Sequence, residues 1–170
     1  KQTYNSAVAL GAATILTGTD LTLAGAVSGA FTLTLTGSGT TAISGGVTTV
    51  TTLLVDGGGI TQLGGSISTD GTQTYSEPVS LTADTVLTTS NDNITLDAVI
   101  GGTKDLTITS TAGAGNVTLG GTIAGVKDLT VTSGTGASAI NGATVTTTGV
   151  QAYNDAVTLG AATTLTSTGS

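Results

Sequence analysis

The chain has 170 residues, with 27 Gly, one Pro, no His, no Cys and a formal net charge of −7. The absence of His and Cys excludes Ser/His/Asp and Cys/His nucleophiles and His/Cys zinc sites, and the three isolated lysines, Lys1, Lys104 and Lys127, exclude the basic groove of a nucleic-acid binder and electrostatic docking on anionic lipid. Charged residues make up 8% of the chain against about 25% in an ordinary globular domain, yet Val, Ile, Leu and Thr recur at short intervals, which points to β order rather than disorder.

In chain order, the first stretch is Gln2-Thr3-Tyr4-Asn5-Ser6-Ala7-Val8-Ala9-Leu10, running on to Thr14-Ile15-Leu16-Thr17. Three Leu/Ile-x-Gly units follow at constant spacing, with Leu23 and Gly25, Ile43 and Gly45, and Leu63 and Gly65. The opening pattern then returns as Gln73-Thr74-Tyr75-Ser76-Glu77-Pro78-Val79-Ser80-Leu81. Behind it, Asn93-Ile94-Thr95-Leu96 recurs as Asn116-Val117-Thr118-Leu119, and Lys104-Asp105-Leu106-Thr107-Ile108-Thr109-Ser110 recurs at the same distance as Lys127-Asp128-Leu129-Thr130-Val131-Thr132-Ser133. The opening pattern appears a third time at Gln151-Ala152-Tyr153, so that all three tyrosines lie in Q-x-Y-x-x-x-V-x-L-x-x-x-T-x-L-T. Leu, Ile or Val alternates with Thr throughout, the period-2 signature of strands with one buried face, and no window carries a helical spacing. Gly57-Gly58-Gly59, Ser90-Asn91-Asp92-Asn93 and the 112–115 stretch supply turns between strands of about four to six residues.

A unit of about 20–23 residues is too short to bury its own apolar face and must stack on its neighbours. The expected fold is therefore all-β: one continuous parallel β-helix (β-solenoid), with super-repeats at 2–72 and 73–150 and the start of a third at 151–170. Leu23/Ile43/Leu63, Leu96/Leu119 and Leu106/Leu129 are the expected inward ladders. Seven to eight coils at about 4.8 Å give a rod of roughly 35–40 Å. The competing reading is an array of immunoglobulin-like sandwiches, one per super-repeat. It leaves the shorter period unexplained and lacks the usual buried Trp. Because residue 1 opens inside a repeat copy, the chain reads as a segment of something longer.

Gln2, Tyr4, Gln73, Tyr75, Gln151 and Tyr153 are read as repeat-punctuating structural residues, with Tyr filling a wider corner of the coil and Gln bonding backbone at a turn. The alternative is a column of exposed tyrosines that meets a ligand. Pro78 removes a ladder donor and belongs at a turn or coil edge. Asp105 and Asp128 occupy equivalent positions beside Lys, which suits a solvated ladder better than a paired-carboxylate active site. The densest oxygen cluster surrounds Asp92 and Asp97, the weak calcium candidates. Gly64-Gly65 and Gly101-Gly102 lack the Lys-Ser/Thr of a phosphate loop and read as turns. Asn93 and Asn116 open N-x-T sequons at strand starts. Thr107, Thr109, Thr130 and Thr132 form an expected outward ladder of hydroxyls and methyls, the kind of array that meets ice or a glycan.

The tandem L-T-V-T-S and N-V-T-L units, punctuated by Q-x-Y-x-x-x-V-x-L, resemble the repeat regions of filamentous-haemagglutinin-like adhesins and related giant bacterial surface proteins. The resemblance covers the whole chain. It implies a right-handed β-helix stalk exported to the surface of a Gram-negative bacterium. The function expected is that of a non-catalytic structural stalk of a large adhesin or extracellular filament, without a cofactor or membrane insertion. Its expected partners are neighbouring repeats, identical subunits stacked end to end, and surface glycans. A surface-binding module for glycan or ice is the alternative.

Overall fold

In a computed structural model, residues 1–111 and 113–169 are described. Ala112, in the expected 112–115 turn, and Ser170, at the end of the third super-repeat, lie outside the described residues. The Leu-Thr alternation produces what its period demands. In Leu106–Ser110 the side chains of Leu106, Ile108 and Ser110 are buried while Thr107 and Thr109 between them reach the surface. No helix forms among the described residues, and 25 short strands follow one another along the chain.

Every third strand pairs with its predecessor, always in parallel, so the chain winds through three sheets in rotation. Sheet 1 contains nine strands beginning with Gln2–Tyr4, sheet 2 eight beginning with Val8–Ala9, and sheet 3 eight beginning with Thr14–Gly18. This is a parallel β-solenoid of about eight coils. Leu23 pairs with Ile43 and Ile43 with Leu63, Leu96 pairs with Leu119, and Leu106 with Leu129. These residues, with the other buried Val, Ile and Leu side chains from Leu10 to Val145, form one core running along the rod axis.

The coils are less uniform than the sequence period suggests. Thr61 pairs with Val79, whereas Val99 pairs with Ile123, so the first of these coils is markedly shorter than the second. The slack is taken up at the corners and at two register shifts, where the Val47–Val50 and Ile123–Val126 strands bulge. Corners also explain the spaced glycines. A Cβ on Gly45 would collide with the Gly25 carbonyl carbon, and one on Gly59 would collide with the Gly39 oxygen. Coil stacks on coil there through bare backbone.

The longest repeat has a phase that the sequence conceals. The Gln-x-Tyr strand is the first, the twelfth and the twenty-third in the chain. Eleven strands are three full coils and two-thirds of another. Gln2–Tyr4 therefore lies in sheet 1, Gln73–Tyr75 in sheet 3 and Gln151–Tyr153 in sheet 2.

Candidate functional site

The Gln and Tyr of each copy are two residues apart on a strand and so face the same way, inward. Gln73 and Tyr75 are completely buried. In the first and last coils, Tyr4 and Tyr153 are partly buried against the same core. The tyrosines therefore form no exposed column. Each is tied to its glutamine: the hydroxyls of Tyr4, Tyr75 and Tyr153 donate to Oε1 of Gln2, Gln73 and Gln151 at 2.7, 3.0 and 3.3 Å. The other end of each amide reaches a backbone carbonyl 15 residues on. Gln2 Nε2 donates to Thr17 O, Gln73 Nε2 to Thr88 O and Gln151 Nε2 to Thr166 O, each at 2.7 Å. Gln73 and Gln151 also donate at 3.2 Å to the carbonyl six residues back, in Ile67 and Val145. Burial drives the Tyr75 phenol far above its ordinary value and pushes Tyr153 up to about 12.

The acids follow the turns. Asp84 Oδ1 accepts the backbone N–H of Asp105 at 3.0 Å, Asp105 Oδ1 that of Asp128 at 3.2 Å, and Asp128 Oδ1 that of Val150 at 2.7 Å. Asn93 and Asn116 do the same at another corner, accepting from Asn116 N and Ala137 N at 2.8 and 2.9 Å. Their sequon side chains are thus engaged in holding one coil to the next. Lys127 Nζ lies 3.3 Å from both Asp105 Oδ1 and Asp128 Oδ2. The Val150 N–H, and then Lys127, hold the Asp128 carboxyl below its usual range, while Asp128 and Asp105 raise the Lys127 ammonium.

Asp92 and Asp97 are not brought together: they flank the Ile94–Leu96 strand at two different corners. Asp92 Oδ1 accepts the N–H of the next residue, Asn93, at 3.1 Å. Among the described residues no three His, Cys, Asp or Glu side chains gather. Thr107 pairs with Thr130 and Thr109 with Thr132 on the outer face of sheet 2. That patch is two coils tall on one column, since Val86 and Ala152 flank Thr107 and Thr130 in register. On the other column Thr88 continues it, and Thr132 Oγ1 accepts from Asn154 Nδ2 at 2.9 Å.

One buried acid escaped sequence reasoning. Glu77, in the turn before Val79–Leu81, points inward and is 1% exposed. Its Oε2 accepts from Thr61 Oγ1 at 3.5 Å, while Oε1 and the neighbouring buried Thr41 Oγ1 have no partner. Pro78 occupies the same turn and its carbonyl accepts the Thr61 N–H at 2.9 Å. Nothing in the sequence marks it, since the equivalent positions of the other two motif copies hold Ser6 and Asp155.

Together the three parallel sheets, the continuous aliphatic core and the internal Gln-Tyr pairs define a parallel β-solenoid built of tandem repeats. No protein-family model, no curated protein and no solved structure matches the chain.

Proposed function

We propose that the chain is a non-catalytic stalk segment of a large cell-surface adhesin or extracellular filament, outside a Gram-negative bacterium. One observation carries this reading: the motif glutamines and tyrosines and a run of corner Asp and Asn side chains are occupied in holding the coils together. The Gln-Tyr pairs bond within the core, and the corner Asp and Asn residues cap the backbone of the next coil. A stack of that kind resists bending because its backbone hydrogen bonds run along the rod axis. The phase of the super-repeat favours the same role, since features that recur with it are spread around the rod rather than along one side. Its partners are then further coils, from neighbouring repeats or identical subunits.

Small-angle scattering on one, two and three tandem copies tests the proposal. A rigid stalk lengthens by roughly 40 Å per copy, the rise of about eight coils at about 4.8 Å. A maximum dimension that saturates, or a saturable turnover of substrate by the single copy, would overturn it.

The second reading, a surface-binding module for glycan or ice, draws on the Thr107/Thr109/Thr130/Thr132 patch. Ice-shaping and glycan-array assays test it directly, and replacing Thr109 and Thr130 by Lys must abolish any signal attributed to that face.

A further inference from the structure

The Gln-x-Tyr segment closes a coil upon itself. It starts with Gln at one corner, passes through three consecutive strands and ends with a Thr that has come back to the same corner. The Gln amide then bonds that residue's carbonyl across the remaining gap, at 2.7 Å in all three copies. The span of this bond is the same in every copy, although coil length differs widely between the coil from Thr61 to Val79 and the coil from Val99 to Ile123. The corner Asp and Asn bonds work differently, joining each coil to the next over 20–23 residues. Those bonds need a neighbouring coil already in place. The Gln bond needs only its own segment. Thr61 Oγ1 to Glu77 Oε2 is another bond of similar span, and Glu77 belongs to the second copy of the same motif.

We propose that each Gln-x-Tyr coil is the self-closing rung that fixes the circumference of the solenoid and from which folding of the adjoining Thr/Leu coils propagates. Three properties suit it to that task. Its closure joins residues 15 apart, so less chain must be ordered than for a first pairing between coils. Its Tyr packs against the core in all three copies, and Tyr75 is the largest fully buried side chain. In a stack of near-identical units, folding starts wherever a unit first holds together and spreads by nearest-neighbour pairing. The Gln-x-Tyr coils are the units equipped with an internal tie.

The test is folding kinetics of the 170-residue chain in a denaturant series. Gln73→Leu removes the amide bonds at similar volume. Tyr75→Phe removes the hydroxyl bond to Gln73 alone and is the milder variant should Gln73→Leu fail to fold. Ile108→Val, in a coil without the motif, is the control. The motif variants are expected to slow refolding by roughly tenfold, with unfolding changed less than about twofold, because a loss in the nucleus acts on the folding rate. Ile108→Val is expected to act mainly on unfolding. If Gln73→Leu and Tyr75→Phe instead accelerate unfolding and leave refolding unchanged, the motif is late-forming packing and the proposal is overturned. Motif variants that match Ile108→Val in both arms overturn it as well.

Discussion

Asp105 Oδ1 accepts the backbone N–H of Asp128 at 3.2 Å, and Asp128 in turn accepts that of Val150 at 2.7 Å. Two carboxylates in equivalent repeat positions thus act as stacked caps, with Lys127 between them.

The Asp128 carboxyl is held below its usual range by the Val150 N–H and then by Lys127. As pH falls the unfolded chain takes up that proton first. The stabilisation is therefore present above the ordinary carboxylate value of about 4 and is lost as pH drops through the lower folded value. Asp128→Asn keeps an oxygen for the Val150 N–H but removes the charge, so it should flatten this part of the acid limb of a melting-temperature profile. The Lys127 contribution runs the other way: its raised ammonium stabilises below about 10.4 and is lost as pH rises through the folded value. Both groups are exposed, so added salt should shrink both effects.

Tyr75 and Tyr153 govern the alkaline limb. Both phenols are raised by burial. Above about pH 10 the unfolded chain loses its phenolic protons while the folded chain keeps them, so stability falls as pH rises. For the fully buried Tyr75 the slope is about 1.4 kcal/mol per pH unit. Ultraviolet titration should show a reversible step for Tyr153 near 12 and, for Tyr75, a slower step coincident with loss of β signal. Tyr75→Phe should delete the slower step. A Tyr75 that ionises in step with Tyr153 while the fold persists contradicts its burial.

Glycine substitutions should separate crowding from backbone conformation. Gly45→Ala drives a methyl into the Gly25 backbone and should cost roughly 2–4 kcal/mol by denaturant unfolding. Gly58 meets nothing within 4 Å but has a φ of +82°. Gly58→Ala should cost only about 1–2 kcal/mol, the left-handed penalty.

Glu77 is buried with one carboxylate oxygen unpartnered and the other at 3.5 Å from Thr61 Oγ1. A buried polar group left without a partner is costly, and an amide of the same shape brings two donors to the neighbouring threonine hydroxyls. Glu77→Gln should raise the midpoint of denaturant unfolding at neutral pH. A lowered midpoint would mean that the carboxyl has bonding partners which the amide cannot replace.

Much of the fold was legible in the sequence. The Leu23/Ile43/Leu63, Leu96/Leu119 and Leu106/Leu129 ladders follow from period-2 alternation repeated at a near-constant spacing, because parallel stacking places like upon like. Less was legible about the candidate site. Gln at a strand start reads as a turn residue, and only its neighbours in space reveal that its amide reaches inward to Thr88. Glu77 was unreadable for a related reason: an acid beside a proline ordinarily faces water, and its burial against Thr61 emerges only once the coils are stacked. The spread of coil lengths was blurred because corners accept extra residues without disturbing the ladder.

Eleven shares no factor with three, and that arithmetic has a consequence for how such a gene changes length. Recombination that adds or deletes one super-repeat alters the rod's length and also turns everything beyond the junction by a third of a revolution. A domain carried further along would then look out in a new direction. Only gains or losses in threes change reach while preserving azimuth.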